Sequence, residues 1–156
     1  MFKRIIAFLF IEYLLVTGVR LETVDSFAQE GRNYAELTAH QKLARDIFKE
    51  LIEINTTEKL GSTKASEAMA KRLKNAGFSD SDINIVGPHL QNMNLVARYR
   101  GNGKLRPILF FGHLDVVEAL RKDWSMDPFT FIEKDGYFYG RGSSDMKCED
   151  AEIIAN

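Results

Sequence analysis

The chain has 156 residues, 21 basic and 22 acidic, for a formal net charge of −1; 45% are apolar and 28% charged. That is enough polypeptide for one domain with a core, and the composition argues against wholesale disorder. The charge balance speaks against nucleic-acid binding, which normally shows a basic excess or stripe. The single cysteine, Cys148, excludes an intramolecular disulfide without fixing the compartment.

Lys3-Arg4 precedes Ile5 to Val19, fifteen mostly apolar residues, short of the about 20 that span a bilayer. A positive end ahead of a short apolar run is the layout of a secretory leader, and Ser26-Phe27-Ala28 supplies a small-x-small cleavage site. The sequence predicts a signal peptide over 1–28, a folded domain over 29–156, no stable membrane span, and a secreted or periplasmic location if the leader is cleaved. Glu12, in the middle of the apolar run, keeps open an uncleaved anchor or an amphipathic helix.

From Leu37 the apolar period is helical. Thr38-x-x-Gln41 resembles a capping box, Leu43, Ile47, Leu51 and Ile54 share a face, and Asn55-Thr56-Thr57 ends the helix. A second helix fits Ser62 to Ala76, with Ala65, Met69, Ala70 and Leu73 on one face and Gly77 at the left-handed position beyond its end. Ile83 to Val86 reads as a short strand closed by Gly87-Pro88. Asn94 to Arg100 reads as another, followed by a turn at Gly101-Asn102-Gly103. Pro107 to Gly112 is apolar throughout, which predicts a strand buried on both faces. Phe129 to Ile132 and Tyr137 to Tyr139 form a hairpin around Asp135-Gly136, and a last helix starts near Met146. The predicted fold is α/β, a layered mixed sheet with flanking helices. No internal repeat or low-complexity tract is present.

Two segments carry chemistry. His113, in Gly112-His113-Leu114-Asp115, falls at the C-terminal end of the apolar run, where open α/β sheets present binding crevices. Residues two apart on an extended segment point the same way, so Asp115 can reach the imidazole and fix its tautomer. His-x-Asp by itself is also compatible with a capped strand end and an incidental histidine. About thirty residues later, Gly140-Arg141-Gly142-Ser143-Ser144-Asp145-Met146-Lys147 sets a carboxylate just ahead of a helix. Asp145 is either a plain N-cap or, having two oxygens, a bridge between two cations. Gly140-x-Gly142 lacks the later glycine and the Lys-Ser pair of a phosphate loop. Cys148 reads as a helix-packing residue, His40 and His89 as structural or exposed, and Trp124 with Phe129 as a loop anchor. Lys147 reads as a solvated helix-start lysine or as a partner for a substrate carboxylate.

Asn94-Leu95-Val96-Ala97, Gly112 through Val117, Trp124 through Phe129 and Asp135 through Lys147 occur in that order. The series resembles the N-terminal part of the aminoacylase, glutamate carboxypeptidase and succinyl-diaminopimelate desuccinylase family of zinc metallopeptidases, over roughly Thr38 to Asn156. A related aminopeptidase family also has a His-x-Asp strand end, but carries an Asp-Asp pair where this chain has Asp145-Met146. The resemblance implies a dinuclear-zinc exopeptidase domain in which His113 binds one metal, Asp115 orients it as a catalytic residue, and Asp145 bridges two zinc ions. Manganese or cobalt could replace zinc. It also implies a cis peptide after Asp145.

The implied substrate is a peptide or N-acyl amino acid, hydrolysed at its amide bond in the manner of carboxypeptidases, dipeptidases and aminoacylases. Oligomeric state is left open by the sequence. The family's later Glu-Glu pair, acidic ligand and C-terminal histidine have no counterparts here, and Glu149 and Glu152 fall too soon after Asp145 to serve. The chain is therefore expected to hold only part of a site. The alternative is a catalytically inactive remnant or sequence fragment.

Overall fold

The capping box at Thr38 forms. Its hydroxyl accepts from the Gln41 backbone N–H at 3.2 Å, and the Gln41 side chain accepts from the Thr38 N–H at 3.0 Å. Two donors that a helix start leaves orphaned are thereby satisfied, and helix α1 runs Ala39–Glu53. The structure is a computed structural model that describes residues 37–156. The leader read over 1–28 lies outside the described residues.

α1 buries Ile47, Phe48, Leu51 and Ile52, each worth about 1.5–3 kcal/mol when fully removed from water. Helix α2, Thr63–Asn75, buries Ala65, Met69, Ala70 and Leu73, and the chain leaves it through Gly77 at φ 98°, a conformation that glycine adopts without steric cost. Strands β1, Ile83–Val86, and β2, Asn94–Ala97, pair antiparallel with Ile83 opposite Ala97, and Ile83 packs with Ala70 and Leu73 of α2.

A second hairpin joins β3, Ile132–Lys134, to β4, Tyr137–Tyr139. Its two-residue loop is Asp135-Gly136, at φ 53° and 78°, the positive-φ pair that a tight hairpin demands. Phe131 and Phe138 meet the Phe48 ring edge-on, with centroids 5.4 and 5.6 Å away, and Arg45 Nε donates to Glu133 at 2.8 Å. Helix α3, Lys147–Ala155, returns against α1 and places Ala151 in the core beside Leu51 and Ile52.

Helices with short antiparallel strands give an α/β fold in the coarse sense, but three expectations are corrected. Pro107 to Gly112 is not a buried strand. It pairs with no described strand, and Ile108, Leu109, Phe110 and Phe111 are 80%, 82%, 68% and 81% exposed. An apolar run becomes a strand only by pairing with a neighbour's edge, and this one is paired with neither of the two-stranded sheets. The strand read as Asn94 to Arg100 ends at Ala97. The first hairpin strand begins at Ile132, where it had been expected to end, because the Asp135-Gly136 loop pairs Lys134 with Tyr137 and fixes the register. Among the described residues no helix is long and apolar enough to cross a membrane.

An exposed, strand-competent apolar segment is a template for self-pairing. The 156-residue chain is therefore expected to self-associate at micromolar concentration, and Leu109→Lys with Phe111→Lys to relieve this without changing far-UV circular dichroism. Sedimentation that shows the double variant as aggregated as the parent would locate the association elsewhere.

Candidate functional site

The structure brings His113 and Asp145 together although 32 residues separate them. His113 Nε2 lies 3.0 Å from Asp145 Oδ1, and Nδ1 lies 3.2 Å from the backbone carbonyl of Asp115 and 3.4 Å from its carboxylate. Asp115 thus meets the ring chiefly through its main chain. Burial lowers the pKa of His113, but the hydrogen bonds to Asp145 and to the Asp115 carbonyl, with both carboxylate charges, outweigh it and leave the imidazole above its ordinary value. The Asp145–Met146 peptide is cis. The three side chains are open to solvent, at 47% for His113, 73% for Asp115 and 85% for Asp145. They line a cleft of about 270 Å³ with Val116, Trp124 and the Gly140–Ser144 loop.

The loop owes its path to glycine. Gly142 sits at φ 86°, and a Cβ there would fall 2.8 Å from Val116 and 3.1 Å from the Lys147 side chain. Arg141 lies over the Trp124 ring, its guanidinium carbon 5.0 Å from the centroid. Trp124 therefore anchors the loop through Arg141.

Lys147 is the plainest correction. Neither solvated nor aimed at the cleft, it is 0% exposed, and its ammonium donates to the carbonyls of Leu51 at 2.7 Å and Ile54 at 2.9 Å. Burial draws its pKa down to about 8, with the Asp150 charge acting the other way. Cys148 packs against the core as expected; burial pushes its thiol up to about 11, so at neutral pH it is not the thiolate that binds metal. His40 and His89 are exposed and do not line the cleft.

Asp150 escaped the sequence reading. It is 7% exposed, its Oδ2 has no hydrogen-bond partner, and a Cβ on Gly112 would fall 2.1 Å from its Oδ1. A signal existed: Lys147, Asp150, Ala151 and Ile154 share one face of α3 at helical spacing, so that the core-facing stripe carries two charges.

Against this geometry, residues 109–154 match the family model described as Peptidase family M20/M25/M40. The chain is 42% identical over 89 residues to the succinyl-diaminopimelate desuccinylase of Bordetella avium (strain 197N), covering 56% of this chain and 22% of the relative. It is 34% identical over 111 residues to aminoacylase-1 of Sus scrofa, covering 69% and 26%. It is 42% identical over 89 residues to the acetylornithine deacetylase of Pasteurella multocida (strain Pm70), covering 56% and 22%. The resemblance drawn from the motifs is thus shown: the chain is similar to this peptidase family over the stretch that holds His113, Asp115 and Asp145. It spans 22–26% of the length of these three relatives.

Proposed function

We propose that this chain contributes the first half of a metal-dependent amide-hydrolase site, in which His113 and Asp145 hold metal and Asp115 orients His113. The observation that carries the reading is the 3.0 Å approach of His113 Nε2 to Asp145 Oδ1, inside the segment matched by the peptidase family. Two donors on one tetrahedral zinc, each about 2.0–2.1 Å from it, lie roughly 3.3 Å apart, so these atoms fit a shared ion. Among the described residues no group of three or more histidine, cysteine or acidic side chains is arranged to hold a metal ion. The described residues thus fill only part of a catalytic zinc site, which usually has three protein ligands and water.

Bound there, zinc supplies a Lewis acid for the amide carbonyl and a water acidified for attack. The complete family site holds two such ions, and manganese or cobalt suits the same nitrogen and oxygen donors. The chain's own residues hold the imidazole and carboxylate at the open mouth of a cleft, where a substrate can reach them. The Asp115 carbonyl accepts a hydrogen bond from Nδ1–H, leaving Nε2 free to act as a ligand. Among the described residues no glutamate lines the cleft, and with His113 and Asp145 holding metal and Asp115 engaged with His113, the reading takes its general base from beyond these lining residues. The relatives' names, desuccinylase, aminoacylase and deacetylase, support acylated amino acids or peptides as the substrate class. Helices packed with short antiparallel strands suit a layered mixed-sheet domain as the setting.

Calorimetric titration of zinc into the 156-residue chain is expected to show weak binding, abolished by His113→Ala and by Asp145→Ala. Zinc affinity that survives both substitutions would remove the metal from these residues.

A further inference from the structure

We propose that Thr56 and Lys147 are positioning residues that hold His113 and Asp145 in register by tying both of their segments to the C-terminal end of α1. The expected effect on metal affinity rests on the half-site reading above; the fixation of the two side chains does not.

Thr56, three residues beyond the end of α1, is 0% exposed. Its hydroxyl donates to the Leu114 carbonyl at 2.6 Å, and its own carbonyl accepts from the Val116 N–H at 3.2 Å. These two bonds flank Asp115 and grip the His113 segment from one side. Lys147, two residues after Asp145, reaches the same place. It donates to Leu51 and Ile54, carbonyls at a helix end that lacks N–H donors of its own and favours positive charge. Both anchors thus fall within Leu51 to Thr56, and the Gly142 turn is pressed between Val116 of one segment and Lys147 of the other.

This shared anchor matters because little else fixes the pair. The His113 segment belongs to no described strand, and the His113 and Asp145 side chains are largely solvated. Exposed ion pairs contribute too little to hold two loops in one geometry. A buried lysine could instead serve only to stabilise the end of α1, and the two roles differ in what their loss disturbs.

The test uses the whole 156-residue chain with Thr56→Val, Thr56→Ser, Lys147→Met and, as a control for stability alone, Leu73→Ala in the second core cluster. The ring ¹⁵N signals of His113, assigned by their loss in His113→Ala, report the contact with Asp145, and zinc titration reports affinity. Thr56→Val and Lys147→Met are expected to move the His113 signals toward those of the exposed His40 and His89. Zinc binding is expected to weaken by about 10–100-fold, the usual cost of losing a group that orients a ligand. Thr56→Ser, which keeps the hydroxyl, restores both readouts, and Leu73→Ala lowers thermal stability while changing neither. If Lys147→Met does not fold, Thr56→Val decides. A folded Thr56→Val with parental His113 signals overturns the proposal, and so does a Leu73→Ala that shifts them equally. If the parent chain binds no zinc while its His113 signals still respond, the metal reading fails and the positioning role stands.

Discussion

A full-length succinyl-diaminopimelate desuccinylase carrying this chain's residues in place of its own matching 89 is expected to remain a metal-dependent hydrolase. His113→Ala or Asp145→Ala in that hybrid is expected to lower kcat/KM by more than about 10²-fold, beyond the 10–100-fold typical for losing an orienting partner. Asp115→Asn should fall inside that smaller range, because the His113 ring is closer to the Asp115 carbonyl, which survives the substitution, than to its carboxylate. The hybrid supplies whatever ligands and general base the relative's remaining sequence contains. On the half-site reading, the 156-residue chain alone is expected to show no turnover on N-acyl amino acids or dipeptides, since no glutamate lines the cleft among the described residues and general acid–base help is worth roughly 10²–10⁴-fold. A hybrid that folds and takes up zinc yet does not hydrolyse its substrate would falsify the hydrolase reading.

Replacing Asp150 with asparagine is expected to stabilise the protein at pH 7 and to leave it unchanged near pH 4. Burial pushes the Asp150 carboxyl up from 3.8 to about 6, against the pull of His113 and Lys147. With the folded pKa above the unfolded one, the native state holds the extra proton between these values. Native stability therefore falls as pH rises from about 4 to 6, and the full cost is present at neutrality. A shift of this size corresponds to at most about 3 kcal/mol. Urea denaturation of Asp150→Asn and the parent at both pH values reads this directly. If the parent is the more stable at pH 7, the Asp150 charge has a partner that the described contacts do not include.

Several elements were legible in the residues because their causes are local. The Thr38–Gln41 capping box starts α1 through bonds between residues three apart, and Gly77 ends α2 through its own backbone freedom. Asp135-Gly136 closes the second hairpin because two adjacent residues tolerate positive φ, although the strand before it was placed too early. His113 and Asp145 were named from sequence as parts of one site, and the fold sets them 3.0 Å apart.

Residue type and spacing by themselves determined which groups could carry chemistry and which segments seek burial. They did not determine where Lys147 goes. A lysine at a helix start is normally solvated, and only the arrival of the end of α1, with two carbonyls lacking helical partners, makes its burial favourable. Nor could they place Asp150, whose environment is set by the approach of Gly112 from a distant part of the chain. The run from Pro107 to Phe111 states an apolar demand, but whether it becomes a strand depends on an edge presented by another segment. Local pattern fixes what each segment requires, whereas burial and pairing depend on what meets it, and only the tertiary structure decides that.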